Sequence, residues 1–252
     1  MFYTFGRLKV QITNFKAQSL QVIEMTNAIA PKLKVASVFI FLGFLMTIGM
    51  TATTLLNPGG GDLYELRPIT NVIADLISAS AQDINIKLAT LVFDNFFMIG
   101  YLAIFYGLYL VTRIKEEFLA KVAFALGSLT FITDIVENAF QVALLTGVPN
   151  GWVPQDAVFA SLWTFMYVKD ISSYMAGFTF IVLLILSLSD SPEYKSSKII
   201  FVILLALYVS FGVVAIIEPS FLIFRNLSFM IDLLLASLLF RLMSSKIEYT
   251  ID

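Results

Sequence analysis

Long apolar stretches separated by short polar segments dominate the chain. Each stretch is long enough to cross the roughly 30 Å hydrocarbon core of a bilayer as a helix. Six spans are predicted, near residues 33–56, 88–112, 121–146, 159–188, 199–218 and 220–241. The last two are separated only by Glu218-Pro219-Ser220, which predicts a tight hairpin because proline favours the first turn of a helix. The pattern predicts an all-α fold, a polytopic membrane bundle of six transmembrane helices.

The segments that flank the bundle are more polar. Residues 1–32 are too polar to span a membrane, but Leu8, Ile12 and Phe15 share a rough helical face. This pattern favours an amphipathic interfacial helix on the cytoplasmic side over a poorly ordered tail. The six-span bundle then occupies residues 33–242, and residues 243–252 form a cytoplasmic tail.

The longest connection between spans, residues 57–87, is predicted to be external. Its apolar residues indicate a short amphipathic helix from Pro68 to Ile84, with one apolar side formed by Ile69, Val72, Ile73, Leu76 and Ile77. Two interpretations remain open for this helix. It is either a cap over the outer mouth of the bundle or a plain interfacial connector, and the connector is slightly favoured.

Composition supports the membrane assignment and excludes several kinds of chemistry. The chain is 59% hydrophobic and 13% charged, whereas soluble domains carry about 25% charged residues. It has no Cys and no His, so haem, zinc and iron–sulfur cofactors of the usual ligation are not expected. A net charge of −2 without a basic tract makes nucleic acid an unexpected partner. The expected partner is the lipid bilayer. Contacts with other membrane subunits or with further copies of the chain stay open.

The distribution of basic residues predicts the orientation. Twelve of the sixteen fall on one side of the six-span arrangement: Arg7, Lys9, Lys16, Lys32, Lys34, Arg113, Lys115, Lys121, Lys195, Lys198, Arg241 and Lys246. Arg67 and Lys87 fall on the other side, and Lys169 and Arg225 lie within spans. The positive-inside rule therefore predicts a plasma (inner) membrane protein with both termini in the cytoplasm.

A polar stripe crosses the third span. Asp134, Glu137, Asn138 and Gln141 lie at i, i+3, i+4 and i+7, so they share one face of a helix. A carboxylate at the centre of a bilayer costs roughly 2.5–3.5 kcal/mol on insertion scales. Two carboxylates on one helix therefore require partners, protons or water.

Other spans carry polar residues at similar depth. Given the predicted orientation, six of them lie between the middle of the bilayer and the outer leaflet: Asp94, Asn95, Lys169, Asp170, Arg225 and Asp232. Tyr101 shares a helical face with Asp94 on the second span. Arg225 and Asp232 are aligned on the last span and could be joined through Ser228 or a water. Together with the stripe, these residues predict one polar pocket that opens to the outside.

The charges of this pocket do not balance. The five acids Asp94, Asp134, Glu137, Asp170 and Asp232 face only two bases, Lys169 and Arg225. With every group ionised the pocket would carry −3, which a low-dielectric site tolerates poorly. Either some acids are protonated or a cation is bound. The alternative is a purely structural network that holds the helices together.

Two short motifs resemble sequences of a known group. The motifs F-D-N-F-F-M-I-G-Y at 93–101 and T-D-I-V-E-N-A at 133–139 are similar to those of a loose group of uncharacterised prokaryotic multi-span membrane proteins. In that group a span with an Asp followed by a Tyr precedes a span with D-x-x-E-N. The resemblance implies that Asp94, Tyr101, Asp134, Glu137 and Asn138 form one unit, and it implies no activity.

Three functions remain open. The favoured one is a membrane protein whose outward-facing acidic pocket binds or translocates a cation, a proton or a small polar solute. The second is an accessory or structural subunit of a larger membrane complex. The third, a lipid-modifying enzyme that uses Asp134 and Glu137, is the least favoured because the D-x-x-E-N stripe alone is a weak signal of catalysis.

Overall fold

The computed structural model describes the backbone of residues 2–56, 68–189 and 194–249 and the side chains of 28–56, 68–189 and 194–246. Within these ranges, most residues belong to seven α-helices. The helices are α1 (Phe2–Leu56), α2 (Ile69–Ser78), α3 (Ala81–Thr112), α4 (Glu117–Gly147), α5 (Asp156–Leu186), α6 (Lys195–Ile217) and α7 (Leu222–Tyr249). Short 3-10 turns at Val148–Asn150 and Pro219–Phe221 follow α4 and precede α7.

Six of these helices are long and apolar enough to cross a membrane: the Ala28–Leu56 part of α1, and α3, α4, α5, α6 and α7. This confirms six long apolar helices and the all-α class, and these helices support a multi-pass membrane protein. The helices extend beyond the apolar runs, and α3 begins at Ala81 rather than near residue 88. The interfacial position predicted for residues 1–32 stays a prediction, because the side chains of 1–27 lie outside the described residues.

The six long helices pack in a closed ring. Each packs against the next along the chain, and α1 closes the ring through its contacts with α3 and α7. Across the ring, α3 also contacts α5 and α7. Because α3 contacts four other spans, its polar residues are placed to meet those of α4, α5 and α7.

The connection between α1 and α3 contains the predicted amphipathic helix, but this helix ends earlier in the chain than predicted. Helix α2 stops at Ser78 instead of continuing to Ile84, because Ser80 caps α3: its hydroxyl accepts from the Asp83 amide, and the Asp83 carboxylate accepts from the Ser80 amide. Val72 and Leu76 are buried as expected, but Ile77 is exposed.

An apolar cluster joins α2 to the adjacent ends of three spans. We call it the α2 cluster, and its buried members are Val72, Leu76, Leu91, Leu144, Leu145, Val148, Phe159 and Leu162. It lies one to two turns from the polar stripe of α4, on the side of α2. This packing favours the cap over the plain connector, since α2 covers this end of α3, α4 and α5.

Close contact between α1 and α3 depends on two glycines. A Cβ built on Gly43 would lie 2.7 Å from the Gly100 Cα, and a Cβ on Gly100 would lie 2.7 Å from the Gly43 Cα. Such separations occur only when neither residue has a side chain, as at other small-residue helix crossings in membranes. The hydroxyl of Ser237 on α7 also donates to the Ser37 carbonyl of α1, over 2.8 Å.

Replacement of either glycine should therefore destabilise the bundle. We expect Gly43→Ala and Gly100→Ala each to cost about 1–3 kcal/mol, because backbone must move to admit the methyl group. The measurement is thermal or denaturant unfolding of the detergent-purified protein. Ala52→Val, on the exposed face of α1, is the control and should have little effect. Glycine variants as stable as the control would contradict the close crossing.

Candidate functional site

The centre of the polar site is one lysine that contacts two carboxylates. Lys169 of α5 places its Nζ 3.2 Å from Asp134 Oδ1 and 2.6 Å from Glu137 Oε2, both on α4. The side chains of Asp134 and Glu137 are 5% and 0% exposed, whereas that of Lys169 is 20% exposed. The three-residue spacing of the acids places both carboxylates on the face of α4 that packs against α5.

Each of these carboxylates also accepts a hydrogen bond from a neutral donor. The Tyr101 hydroxyl of α3 donates to Asp134 Oδ2 over 2.9 Å. Within α4, Gln141 Nε2 donates to Glu137 Oε1 over 2.9 Å. Buried carboxylates need such donors, because an unsatisfied charge in a low-dielectric environment is strongly unfavourable.

A third acid, which lies on α3, contacts the same face of α4. Asn138 Nδ2 donates to Asp94 Oδ2 of α3 over 2.6 Å, and Asp94 is 8% exposed. Within the described part of the chain, the buried Asn138 Oδ1 has no hydrogen-bond partner. We refer to Asp94, Tyr101, Asp134, Glu137, Asn138, Gln141 and Lys169 as the α4 network. Its members come from three neighbouring helices.

A second ion pair lies apart from the α4 network. Arg225 Nη1 of α7 is 3.3 Å from Asp170 Oδ2 of α5, and the same nitrogen donates to the Tyr174 hydroxyl over 3.3 Å. Both charged side chains are about a quarter exposed, at 23% and 28%. The predicted link from Arg225 to Asp232 through Ser228 is not what the structure has: the Ser228 hydroxyl donates to the Arg225 carbonyl instead.

Two predicted residues lie outside both groups. Asn95 is exposed, and its Nδ2 donates to the Leu91 carbonyl of its own helix over 2.7 Å. Asp232 is 6% exposed, and its Oδ1 has no hydrogen-bond partner among the described residues. The polar residues predicted to share one pocket are therefore divided into the α4 network, the Arg225–Asp170 pair and Asp232, which belongs to neither group.

Sequence reasoning missed Tyr208 of α6. Its hydroxyl lies 2.7 Å from the Ser173 hydroxyl of α5, and its ring packs 4.8 Å from the ring of Phe229, between centroids. A tyrosine inside an otherwise apolar span was a signal for a buried polar contact, because a buried hydroxyl needs a partner. The hydroxyls of Thr130 and Ser172, 2.9 Å apart, form a similar contact between α4 and α5.

The donor set does not resemble a metal site. Across the described ranges, no three His, Cys, Asp or Glu side chains lie close enough together to hold a metal ion. In the α4 network, the Lys169 ammonium occupies the position between the two carboxylates where a bound cation would otherwise sit. The Lys169 side chain thus supplies part of the positive charge that balances these acids.

Access to the α4 network is restricted on the side of α2. Leu144, Leu145 and Val148 continue α4 beyond Gln141, and Phe159 and Leu162 precede Lys169 on α5. These residues belong to the buried α2 cluster, so apolar side chains separate the network from this end of the bundle. Among the network residues, the greatest exposure is that of Lys169.

No family model, curated protein or solved structure matches this chain. The site is therefore interpreted from its own geometry.

Removal of the bridging lysine should destabilise the protein in a pH-dependent way. Lys169→Gln leaves Asp134 and Glu137 buried without a counter-charge, a change that costs about 3–5 kcal/mol for buried pairs. Protonation of the acids removes the repulsion, so the loss should be larger at pH 8 than at pH 5. Thermal unfolding at both pH values is the measurement.

The matched control for this variant is Lys121→Gln. Lys121 forms an exposed pair with Glu117 over 2.8 Å, and such pairs contribute about 0–1 kcal/mol. A Lys169→Gln protein as stable as this control at pH 8 would contradict the assigned role of Lys169. So would a loss of stability that is the same at pH 5 and pH 8.

Proposed function

We propose that this protein binds protons in the α4 network and translocates them across the plasma membrane, with both termini in the cytoplasm. The single observation that carries the proposal is the position of Lys169, which neutralises one charge among the buried acids Asp94, Asp134 and Glu137. Three acids and one base leave a charge of −2 when all are ionised. Two bound protons would make the network neutral.

The charge excess favours a proton-binding network over a structural one. A network that only holds helices together needs one carboxylate for its lysine, and additional buried acids add a desolvation cost without a compensating partner. Ionisable residues inside membrane spans are uncommon, and chains of them form proton relays in pumps and transporters. The two acids beyond that one carboxylate are therefore the feature that a structural role does not explain.

The contacts between the residues favour proton exchange. Lys169 contacts Asp134 and Glu137 at the same time. A proton that arrives on one carboxylate weakens its ion pair with Lys169, and the lysine then pairs mainly with the other carboxylate. Tyr101 and Gln141 then hold the two carboxylates in place through separate hydrogen bonds. Lys169 is also the most exposed member, and we propose its side of the network as the route for proton entry.

The orientation in the membrane rests on the distribution of charge. Twelve basic residues on one side of the six spans support cytoplasmic termini. The α2 cluster then faces outward and closes the outer end of the pathway in the conformation described above. Outward opening of the network would require α2 and the adjoining ends of α4 and α5 to move.

A flux assay tests translocation directly. Purified protein is reconstituted into liposomes that contain a pH-sensitive dye, and a valinomycin-imposed potential, negative inside, drives protons inward. We expect acidification faster than in empty liposomes for the wild type, and a loss of about tenfold or more for Glu137→Gln and Asp134→Asn, in line with the usual contribution of a positioned proton-transfer group.

Asp156→Asn is the control for the flux assay. Asp156 is exposed at the start of α5, far from the network, and its replacement should leave the flux unchanged. Wild-type liposomes that acidify no faster than empty ones would refute proton translocation. Equal flux in the wild type and the Glu137→Gln variant would remove the α4 network from the pathway.

A further inference from the structure

An open groove lies on the outer surface of the ring, between the last turns of α3 and the first half of α4. Its volume is about 500 Å3, which is within the range of small-molecule sites. One face of α4 lines it, because Lys121, Ala125, Ser128 and Ile132 lie at i, i+4, i+7 and i+11. Tyr109 of α3 forms the opposite wall. Ile132 is 57% exposed, so the groove faces away from the interior of the bundle.

The wall of the groove is apolar except at one end. The ring of Phe124 stacks on that of Tyr109, with 5.5 Å between their centroids. The Ser128 hydroxyl donates to the Phe124 carbonyl of its own helix, so it requires no partner from an occupant. Among the described residues that line the groove, Lys121 alone is charged, and it lies at the end nearest the start of α4. The occupant should therefore have a long apolar part and one negative end.

The length of the groove fits an acyl chain. From Lys121 to Ile132, α4 rises by about 16 Å. This is roughly half the 30 Å thickness of the hydrocarbon core, which is the depth of one leaflet. A transmembrane helix fits less well, because a helix 10–12 Å across would occupy more than roughly 1,000 Å3 over the same length.

A second cation stands beside the charged end. The guanidinium carbon of Arg113 lies 5.6 Å from the centroid of the Tyr109 ring, which also forms the wall of the groove. This cation–π contact holds Arg113 at the end where Lys121 lies. Within the described part of the chain, Arg113 Nε has no hydrogen-bond partner. The arginine thus keeps a donor that its own chain does not use.

The acids near this end do not block a negative ligand. Lys121 pairs with Glu117 over 2.8 Å, but the two side chains are 61% and 65% exposed. Exposed pairs of this kind are weak, so a phosphate can replace the Glu117 carboxylate. The remaining exposed acid of the α3–α4 connection, Glu116, follows the exposed base Lys115. Three bases and two acids leave this end with a positive charge.

The side of the membrane selects the ligand. Arg113 and Lys121 belong to the twelve basic residues whose distribution supports cytoplasmic termini. The cytoplasmic leaflet carries anionic lipids, and basic pockets between spans on that side bind their headgroups. A lipid of this class offers both the apolar chain and the negative end that the groove requires.

We propose that this groove binds one anionic phospholipid of the cytoplasmic leaflet. One acyl chain lies along α4 between Lys121 and Ile132, and the phosphate lies at Lys121 and Arg113. The proposal shares the orientation of the proposed function but not its chemistry. The groove is on the outside of the ring, whereas the carboxylates of the α4 network are buried.

Native mass spectrometry of the detergent-purified protein tests the headgroup. Phosphatidylglycerol is titrated in, with phosphatidylcholine of the same acyl chains as the comparison. We expect one retained phosphatidylglycerol per chain and weaker retention of phosphatidylcholine. Lys121→Gln should weaken phosphatidylglycerol binding by about fivefold, the usual contribution of one basic residue at an anionic surface. Lys32→Gln, at an exposed position of α1, is the matched control and should bind as the wild type does.

A second variant tests the groove without altering its charge. Ala125 is exposed, so Ala125→Phe fills the groove without disturbing the core, and it should abolish the retained lipid. Ala139→Phe is the matched control. Ala139 is exposed on the same face of α4, about two turns beyond Ile132, and its replacement should leave lipid binding unchanged.

Three results would overturn the assignment. The first is equal retention of the two lipids by the wild type, and the second is retention of phosphatidylglycerol that survives in Ala125→Phe. The third is a dimer that Ala125→Phe dissociates, which would assign the groove to a second copy of the chain. Because lipid binding is measured without a proton gradient, failure here would leave the proposed function standing, and the reverse also holds.

Discussion

The contact between Lys169 and the two carboxylates of α4 is the interaction on which the rest of the polar interior depends. Charged groups are costly in hydrocarbon, so the acids of α4 are tolerated only where α5 supplies an ammonium and α3 supplies a hydroxyl. This requirement fixes the rotation of α4 relative to both neighbours. It also fixes the place of Asp94, because Asn138 reaches it from the same face of α4.

Tyr101 connects the α4 network to the aromatic packing between α3 and α7. Its hydroxyl donates to Asp134, while its ring lies 6.2 Å from the ring of Phe229, between centroids. A movement of this one side chain would therefore change both the hydrogen bonding of the α4 network and this packing. The close crossing at Gly43 and Gly100 sets the position of α3, one residue before Tyr101. The close packing of α1 against α3 and the hydrogen bonding of the α4 network are therefore coupled at Tyr101.

Much of the fold and part of the site could be predicted from sequence, because both follow from local rules. Span length and helical periodicity gave the six helices and the shared face of Asp134, Glu137 and Asn138. Partners across helices could not be predicted, because they depend on the rotation and order of the helices in the ring. Arg225 therefore pairs with Asp170 rather than with Asp232, and Asn95 lies outside the network. The end of α2 was predictable in principle, since Ser80 and Asp83 form a recognisable capping box.

The most direct test of the account is a count of protonated carboxyl groups at neutral pH by infrared spectroscopy of their C=O stretch. If the α4 network is kept neutral by protons, Asp134→Asn should remove one protonated carboxyl group relative to the wild type. Lys169→Gln should add one, because the acids must then replace the lost ammonium. A carboxyl band with the same intensity in the wild type and both variants would show that protons do not balance these charges, and would contradict the account.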